Sequence, residues 1–320
     1  MAALRGVAYP AAAPRDLARR DFLRLTELGA NAVLLAVSEF DAAFWRPALA
    51  DVAETAEEMG LHVAATLWGW GGAFGGEAPS LYLQEHVEER QVSASGATLS
   101  AACFCWGEFE RYVAEGVRLL GRAGVRTLLL WGPDYVELDS DWSCACPKCR
   151  WLFREEYGRE MPRELSGEVA EFRERRVVEF VDAISRVARE CGVEVVACPP
   201  KVGGSAGLRS YEPLAELKCV RALGAVLRLR RYAPGQSAER AASVVRKLAG
   251  LGRGAVLLLD LSRLPRGWEK DAADAVRAAL DAGASAVFAW PPRLGQGSVL
   301  EPGDVGELLA ALGGAFRRAT

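Results

Sequence analysis

The chain has 320 residues, of which 51% are hydrophobic, and its 39 basic and 42 acidic residues give a formal net charge of −3. This composition indicates a globular protein with a sizeable core and excludes the strongly basic surface of a nucleic-acid-binding protein. No apolar run reaches the roughly 18 residues that a membrane span needs, so no membrane partner is expected.

Short apolar runs recur along the chain, each followed by polar or Gly/Pro residues and then by an amphipathic helical pattern. The first run begins almost at once, so we expect no signal peptide and a cytoplasmic location, where cysteines stay reduced. The predicted strands are RGVAYP (5–10), AVLLAVS (32–38), HVAATLW (62–68), TLLLWGP (127–133), EVVACPP (194–200), AVLRLRR (225–231), AVLLLDLS (255–262) and AVFAWPP (286–292). Helical patterns between them include 15–30 and 172–192, and several end at glycine.

Eight strands alternating with helices predict a (β/α)8 TIM barrel. A doubly wound sheet shows the same alternation, but the count of eight and the lack of a Gly-rich dinucleotide fingerprint favour a closed barrel. Without a linker or a shift in composition, the sequence predicts one domain over residues 1–320. A long loop at 69–109 and a cysteine-rich loop at 134–150 lie at its top face, where long loops usually carry function.

Three cysteines, Cys144, Cys146 and Cys149, fall within six positions of the segment SCACPKCRWLFREEYG (143–158). This spacing is too close for disulfides among them, but it suits convergence on one tetrahedral zinc ion. The long loop supplies Cys103 or Cys105 as a fourth ligand. A site with four cysteine ligands has no open position, so this zinc would be structural and would hold the two loops together.

Residues 103–113 (CFCWGEFERYV) and 128–158 (LLLWGPDYVELDSDWSCACPKCRWLFREEYG) together resemble glycoside hydrolase family 42, the β-galactosidases. In that family a cysteine precedes a helix ahead of strand four, an acidic residue follows that strand, and a C-x-C-x2-C knuckle leads into a helix containing FR and then YG. The match implies that Cys103 is the first zinc ligand and that Cys144, Cys146 and Cys149 complete the site. A shift of two residues would exchange Cys103 for Cys105.

The resemblance also implies a pair of catalytic carboxylates. The family places an Asn-Glu pair after strand four, whereas this chain has WGPDY, which leaves Asp134 or the later Glu137 in that role. In the related clan A barrels the acids follow strands four and seven, which implies Asp134 as general acid/base and Asp260 as nucleophile. Short Asp side chains would leave a gap wider than the ~5–5.5 Å of a retaining pair, with room for an inverting water. The structural alternative makes Asp134 a turn residue and Asp260 a loop cap or the partner of an arginine. We expect the family's additional domains to be absent.

Residues at the carboxyl ends of the other strands are candidates to contact a substrate, because barrel active sites lie there and aromatic faces stack on sugar rings. Arg228 and Arg230 share one face of the sixth strand, so both point either into the barrel or towards the helices. Inside the barrel they would pair with Asp260 or bind an acidic sugar. The predicted substrate-binding residues are Tyr9, Glu39, Trp68, Trp70, Arg228, Arg230, Tyr232 and Trp290, with Lys201 after strand five.

The sequence thus predicts a glycoside hydrolase that acts on a small carbohydrate and carries a structural zinc ion. One alternative is a non-catalytic carbohydrate-binding barrel, which the missing Asn-Glu pair favours. Another is a barrel enzyme of a different class that holds an anionic sugar-like substrate with Arg228 or Arg230. The two histidines, His62 and His86, are too few for the metal centres of sugar isomerases and amidohydrolases. A homo-oligomer is compatible with the sequence but not specified by it.

Overall fold

The computed structural model describes residues 2–136, 138–199, 208–229, 235–291 and 304–318. Its strands are β1 (Leu4–Pro10), β2 (Ala32–Val37), β3 (His62–Leu67), β4 (Arg90–Val92), β5 (Thr98–Ala102), β6 (Thr127–Trp131), β7 (Glu194–Cys198), β8 (Val220–Arg228), β9 (Gly254–Asp260) and β10 (Ala286–Trp290). Its α-helices are α1 (Arg15–Glu27), α2 (Glu39–Phe44), α3 (Arg46–Glu58), α4 (Tyr82–Glu85), α5 (Gly107–Arg122), α6 (Pro147–Tyr157), α7 (Gly167–Glu190), α8 (Glu212–Ala215), α9 (Gln236–Ala249), α10 (Glu269–Asp281) and α11 (Asp304–Arg318).

Eight parallel strands close into a barrel in the order β1-β10-β9-β8-β7-β6-β3-β2, and β1 pairs with β2 to complete the ring. The predicted (β/α)8 barrel is therefore confirmed. The strands close in this way because they are apolar on both faces: every residue of β2 and of β10 is buried. All eight carboxyl ends open on the same rim, so residues far apart in sequence meet there.

Most predicted strands begin within one residue of the observed ones, but β8 begins at Val220, five residues before the predicted start. Helix α7 likewise begins at Gly167 and not at 172, because the Ser166 hydroxyl accepts a hydrogen bond from the Val169 backbone and caps the helix. In the described part of the chain, no helix has the length and apolar composition to span a membrane.

The long loop between β3 and β6 has secondary structure of its own. It contains the antiparallel hairpin β4–β5 and the short helix α4, and it leads into α5. The loop also folds back on the barrel, where the Gly75 N–H donates to the Trp131 carbonyl at 2.7 Å. A side chain at Gly75 would collide with the Trp131 indole at 2.4 Å, so glycine is required for this close approach.

Candidate metal centre and active site

Four cysteines from two separate segments meet at the top of the barrel. Cys103 follows β5, Cys144 lies in the loop after β6, Cys146 caps α6, and Cys149 lies in the first turn of that helix. Their sulfur atoms all lie within 4.8 Å of one another, and all four side chains are buried. Of the two candidates for the fourth ligand, the structure therefore brings Cys103 into the set.

The backbone around these cysteines is held by the β4–β5 hairpin. The Ala145 N–H donates to the Val92 carbonyl at 2.7 Å, and the Ala94 N–H donates to the Trp142 carbonyl at 2.8 Å. These bonds extend β4 into a short antiparallel pairing with the cysteine-rich loop, including a bridge between Ser93 and Ser143. The hairpin thus fixes the loop that carries Cys144 and Cys146.

Backbone N–H groups also point at the sulfur atoms. Cys144 Sγ accepts from Val92 N and Cys146 N at 3.4 Å, and Cys146 Sγ accepts from Cys149 N at 3.5 Å. Cys103 Sγ accepts from Cys105 N at 3.4 Å. Hydrogen bonds of this kind favour the thiolate, the form in which cysteine binds a metal.

The geometry fits a tetrahedral metal ion. Sulfur atoms bound to zinc at ~2.3 Å lie roughly 3.8 Å apart, and here Cys103 Sγ lies 3.4 Å from Cys149 Sγ and 3.7 Å from Cys146 Sγ. All eight cysteines are free of disulfides. Four soft, buried sulfur ligands are typical of a closed zinc site, with no position left for a substrate or water.

Three tryptophans from separate strands meet inside the top of the barrel. Trp290, the last residue of β10, lies with its ring centroid 5.0 Å from that of Trp131 and 5.9 Å from that of Trp68. Because β10 is adjacent to neither β3 nor β6 in the barrel, these contacts cross its interior. Trp131 and Trp290 are buried and Trp68 is half-buried. The sequence analysis did not predict Trp131, because a tryptophan at the end of an apolar run is typical of a core residue.

Asp260 lies beside these rings at the end of β9. It is opposite Trp290 in the strand register, and alternation along the strands therefore points both side chains inward. Its carboxylate forms an ion pair with Arg228 Nε at 3.0 Å and accepts hydrogen bonds from the Ser262 backbone and hydroxyl. Of the alternatives left open for Arg228, the structure shows an ion pair with Asp260.

Asp134 has a different environment from Asp260. It follows β6 by three residues and is only 4% exposed. Its Oδ1 accepts from the Tyr135 N–H at 2.8 Å and from the Leu208 N–H at 3.3 Å. These contacts tie the end of β6 to the segment that precedes α8.

Tyr9 does not face the barrel opening, as a substrate contact would require. It is buried between β1 and α1, where its ring packs on Phe22 at 4.8 Å and its hydroxyl donates to Asp21 at 3.1 Å. Burial raises the pKa of Tyr9 far above its usual value, and the neighbouring Asp21 adds to this effect. Odd-numbered residues of β1 therefore point outward, and Tyr9 contributes to packing.

Glu39 and Trp70 are also directed away from the opening. The buried Glu39 carboxylate accepts from Gly71 N at 2.6 Å and Tyr82 N at 2.7 Å, and from the hydroxyls of Ser80 and Tyr112. The Trp70 indole donates to the Val37 carbonyl at 2.8 Å. Both side chains attach the long loop to the outside of the barrel. The prediction that they bind substrate is therefore wrong.

Four of the predicted site residues, Glu137, Lys201, Arg230 and Tyr232, lie outside the described residues.

A cavity of about 720 Å³ opens at the opposite, amino-terminal end of the strands. Small residues such as Ala222 and Gly254 line much of it. Among its polar residues, Arg221 pairs with Glu194 at 3.6 Å and His62 contacts the Thr127 hydroxyl at 2.9 Å. Burial lowers the pKa of His62, which favours its neutral form. These polar side chains bind one another and leave no evident group for a ligand among the described residues. The top face of the barrel therefore remains the candidate site.

No family model matches the sequence, and no curated protein matches it. Among solved structures, a β-galactosidase from Bacillus circulans sp. alkalophilus is similar, with 14% identity, a TM-score of 0.71 and coverage of 99% of this chain and 56% of that chain. The chain thus spans little more than half the length of that enzyme.

An endo-1,4-β-mannanase from Rhizomucor miehei is also similar, with 11% identity, a TM-score of 0.66 and coverage of 99% of this chain and 95% of that chain. A D-psicose 3-epimerase from Clostridium cellulolyticum H10 has 11% identity, a TM-score of 0.52 and coverage of 100% and 98% of the two chains. Because these neighbours differ in reaction and all have low identity, they show the barrel fold and leave the reaction to be argued from the site.

Proposed function

We propose that the protein is a glycoside hydrolase acting on a small carbohydrate, with a structural zinc ion at its top face. The observation that carries this proposal is the arrangement at the barrel opening, where Trp68, Trp131 and Trp290 meet beside the paired Asp260 and Arg228. Indole rings stack on the apolar faces of sugars, and a carboxylate next to them lies where a bound ring would be attacked. The named glycosidases with similar barrels are consistent with this function.

In the proposed reaction, the Asp260 carboxylate attacks the anomeric carbon and forms a glycosyl ester, while the glycosidic bond breaks and Asp134 protonates the departing oxygen, which leaves as an alcohol. Arg228 would orient the Asp260 carboxylate through their 3.0 Å ion pair. Asp134 would need to present its second oxygen to the leaving group, since Oδ1 is bonded to two backbone N–H groups. A water molecule, deprotonated by Asp134, then hydrolyses the ester, which releases the sugar and restores both carboxyl groups to their starting state.

The proposed zinc ion would be bound by Cys103, Cys144, Cys146 and Cys149. With four protein ligands it has no open position, so its contribution is mechanical: it joins the β4–β5 hairpin to the amino terminus of α6. The free state of all eight cysteines suits a reducing compartment such as the cytoplasm.

A second candidate function is a non-catalytic carbohydrate-binding barrel. The burial of Asp134 favours it, because a carboxylate that is 4% exposed and bonded to two backbone N–H groups has the contacts of a structural residue. In this case the tryptophans and Arg228 would bind the sugar without cleaving it.

The two functions are separated by a panel of aryl glycosides, including uronides, assayed for hydrolysis together with calorimetric binding of the corresponding free sugars. Hydrolysis of at least one member supports the first candidate. Sugar binding that depends on Trp68 but occurs without turnover supports the second. The absence of both turnover and sugar binding across the panel would contradict both candidate functions.

A further inference from the structure

A fully buried arginine lies on α7 and forms no hydrogen bond or direct ion pair in the described part of the chain. Arg173 is 0% exposed, and its Nε, Nη1 and Nη2 atoms have no hydrogen-bond partner in the described part of the chain. A buried guanidinium without a partner is costly, because it has lost its hydration without gaining hydrogen bonds or an opposite charge. Such a group is retained where something nearby compensates it.

Aromatic rings supply part of the compensation. The guanidinium carbon lies 5.0 Å from the ring centre of Tyr135 and 5.6 Å from that of Trp142. Ring faces attract cations, but they do not replace the hydrogen bonds and the opposite charge that a buried cation needs. The two rings therefore position the guanidinium but leave its N–H groups without a hydrogen-bond acceptor in the described residues.

The same two rings adjoin the cysteine cluster. Trp142 precedes Cys144 by two residues, and Tyr135 packs edge-on at 5.4 Å against Phe104, which lies between Cys103 and Cys105.

Helix α7 also packs on α6, the helix that carries Cys149, through rings of Phe172 and Phe153 that are 5.6 Å apart. Burial lowers the pKa of Arg173, whereas the ionisable groups around it, including Asp134 and Cys144, act in the opposite direction. Arg173 thus lies next to the aromatic residues that surround the cysteine cluster, on the helix that packs against α6.

A loaded metal centre would supply further negative charge close to Arg173. Four thiolates around one divalent ion carry a net charge of −2, and here all four sulfur atoms are buried. A second arginine of α7, Arg176, is already neutralised by Glu156 and by Glu179 at 2.8 Å. Arg173 feels the charge of Asp134 but, unlike Arg176, forms no direct ion pair with a carboxylate in the described residues.

We propose that Arg173 is the buried counter-charge of the metal–thiolate centre and stabilises the metal-bound form. The inference rests on the proposed zinc site and adds a residue that is not a ligand. It has a specific consequence: with the metal bound, the arginine and the centre stabilise one another, whereas without the metal the arginine is a buried charge with no direct ion pair. Removing the charge should therefore act in opposite directions on the two forms.

The test compares Arg173→Met, which keeps an apolar stem of similar length, with Arg173→Lys, which keeps the charge. Arg175→Met is the matched control, because Arg175 is on the same helix but is 39% exposed and pairs with Glu156. Zinc affinity is measured by competition with a chromophoric chelator, and thermal unfolding is recorded for zinc-loaded and zinc-stripped protein.

We expect Arg173→Met to weaken zinc binding by about 10–100-fold, as loss of an outer-shell partner does. Arg173→Lys should recover part of that loss, and Arg175→Met should bind zinc like wild type. The zinc-loaded Arg173→Met protein should melt below wild type, and the stripped protein at or above it. If Arg173→Met does not fold, Arg173→Gln takes its place in the same comparison.

Unchanged zinc affinity in the uncharged variant would overturn the inference. The inference would also be overturned if Arg173→Met and Arg173→Lys lost zinc affinity equally and if the zinc-loaded and zinc-stripped proteins were destabilised to the same extent. Arg173 would then be a packing residue. Wild-type protein that binds no zinc would instead refute the proposed metal centre itself. The failure of the inference and the failure of the zinc site are thus distinguishable.

Discussion

The cysteine cluster and the proposed carboxylate pair lie on the same face of the barrel, but they are assembled in different ways. Three of the four cysteines come from one six-residue segment, and the cluster closes within 4.8 Å. Asp134 and Asp260 follow different strands and have unlike environments, one buried on backbone N–H groups and the other paired with Arg228. Local spacing therefore identifies a candidate metal site, whereas a catalytic pair depends on how distant strands are placed.

Removing the carboxylate beside the tryptophans should have the largest effect on activity. If Asp260 is the nucleophile, Asp260→Asn should lower kcat/KM by roughly 10⁴-fold, the scale of losing one member of a catalytic unit. Asp260→Gly should recover part of the activity with azide, which fits the vacated space. The measurement is the rate of aryl glycoside hydrolysis. Asp274→Asn is the control, because Asp274 is a half-buried residue of α10 that pairs with Arg277 on the same helix. Equal activity in both variants would make Asp260 structural.

Asp134 is tested by a change that preserves its hydrogen bonds. An Asn side chain can still accept from the Tyr135 and Leu208 N–H groups, but it cannot donate the proton of an acid. We expect Asp134→Asn to slow substrates with poor leaving groups by about 10²–10⁴-fold and activated aryl glycosides far less. The losses of Asp134→Asn and Asp260→Asn should not add, because one reaction needs both groups. A uniform small effect on all substrates would leave Asp134 as a loop anchor.

Breaking the metal centre should affect stability more than chemistry. Cys146→Ser removes a proposed ligand but keeps a side chain that can cap α6, so zinc affinity should fall by more than about 100-fold, beyond the loss of an outer-shell partner. Hydrogen exchange should accelerate in the β4–β5 hairpin and in residues 142–146, which the cluster joins. Cys191→Ser at the end of α7 serves as the control, since Cys191 lies outside the cluster. Full zinc content in Cys146→Ser protein would contradict the ligand assignment.

The parts of the molecule that sequence reasoning predicted are those with a local signal. Apolar runs gave the eight barrel strands, and the spacing of Cys144, Cys146 and Cys149 gave their convergence. The hairpin β4–β5 was missed because its strands are short and lie in a loop rich in small residues. The start of β8 was missed because Arg221 interrupts its apolar pattern.

Side-chain direction was harder to predict than strand position. Successive residues of a strand point alternately into the barrel and towards the helices. An error of one residue in the predicted alternation therefore reverses the direction of every side chain. Tyr9 was expected at the opening but points towards α1, whereas Trp131, which was not predicted, meets Trp290 inside the barrel. Which residues point inward depends on the register between strands that are distant in sequence, and a single sequence does not reveal this register.

The half-buried Trp68 tests the proposed sugar platform with a smaller expected effect. Removing a stacked ring costs about 0.5–1.5 kcal/mol beyond area burial, so Trp68→Ala should weaken sugar binding by about 10-fold. Isothermal titration with the best ligand of the panel measures this loss. Trp45→Ala is a matched control, because Trp45 is 57% exposed on the outer surface. Equal affinity of the two variants would exclude Trp68 from the binding surface.

The smallest effect is expected at Cys105, the cysteine that competes with Cys103 for the fourth ligand position. Cys105 Sγ lies 3.4 Å from Cys149 Sγ, yet Cys105 is partly exposed and does not belong to the group of mutually close sulfur atoms. Cys105→Ser should therefore retain one zinc per chain and leave the thiolate charge-transfer bands of the cobalt-substituted protein unchanged. Cys103→Ser should abolish these bands or change them strongly. The reverse pattern would show that the ligand is two residues further along the chain, and that the metal draws Cys105 inward when it binds.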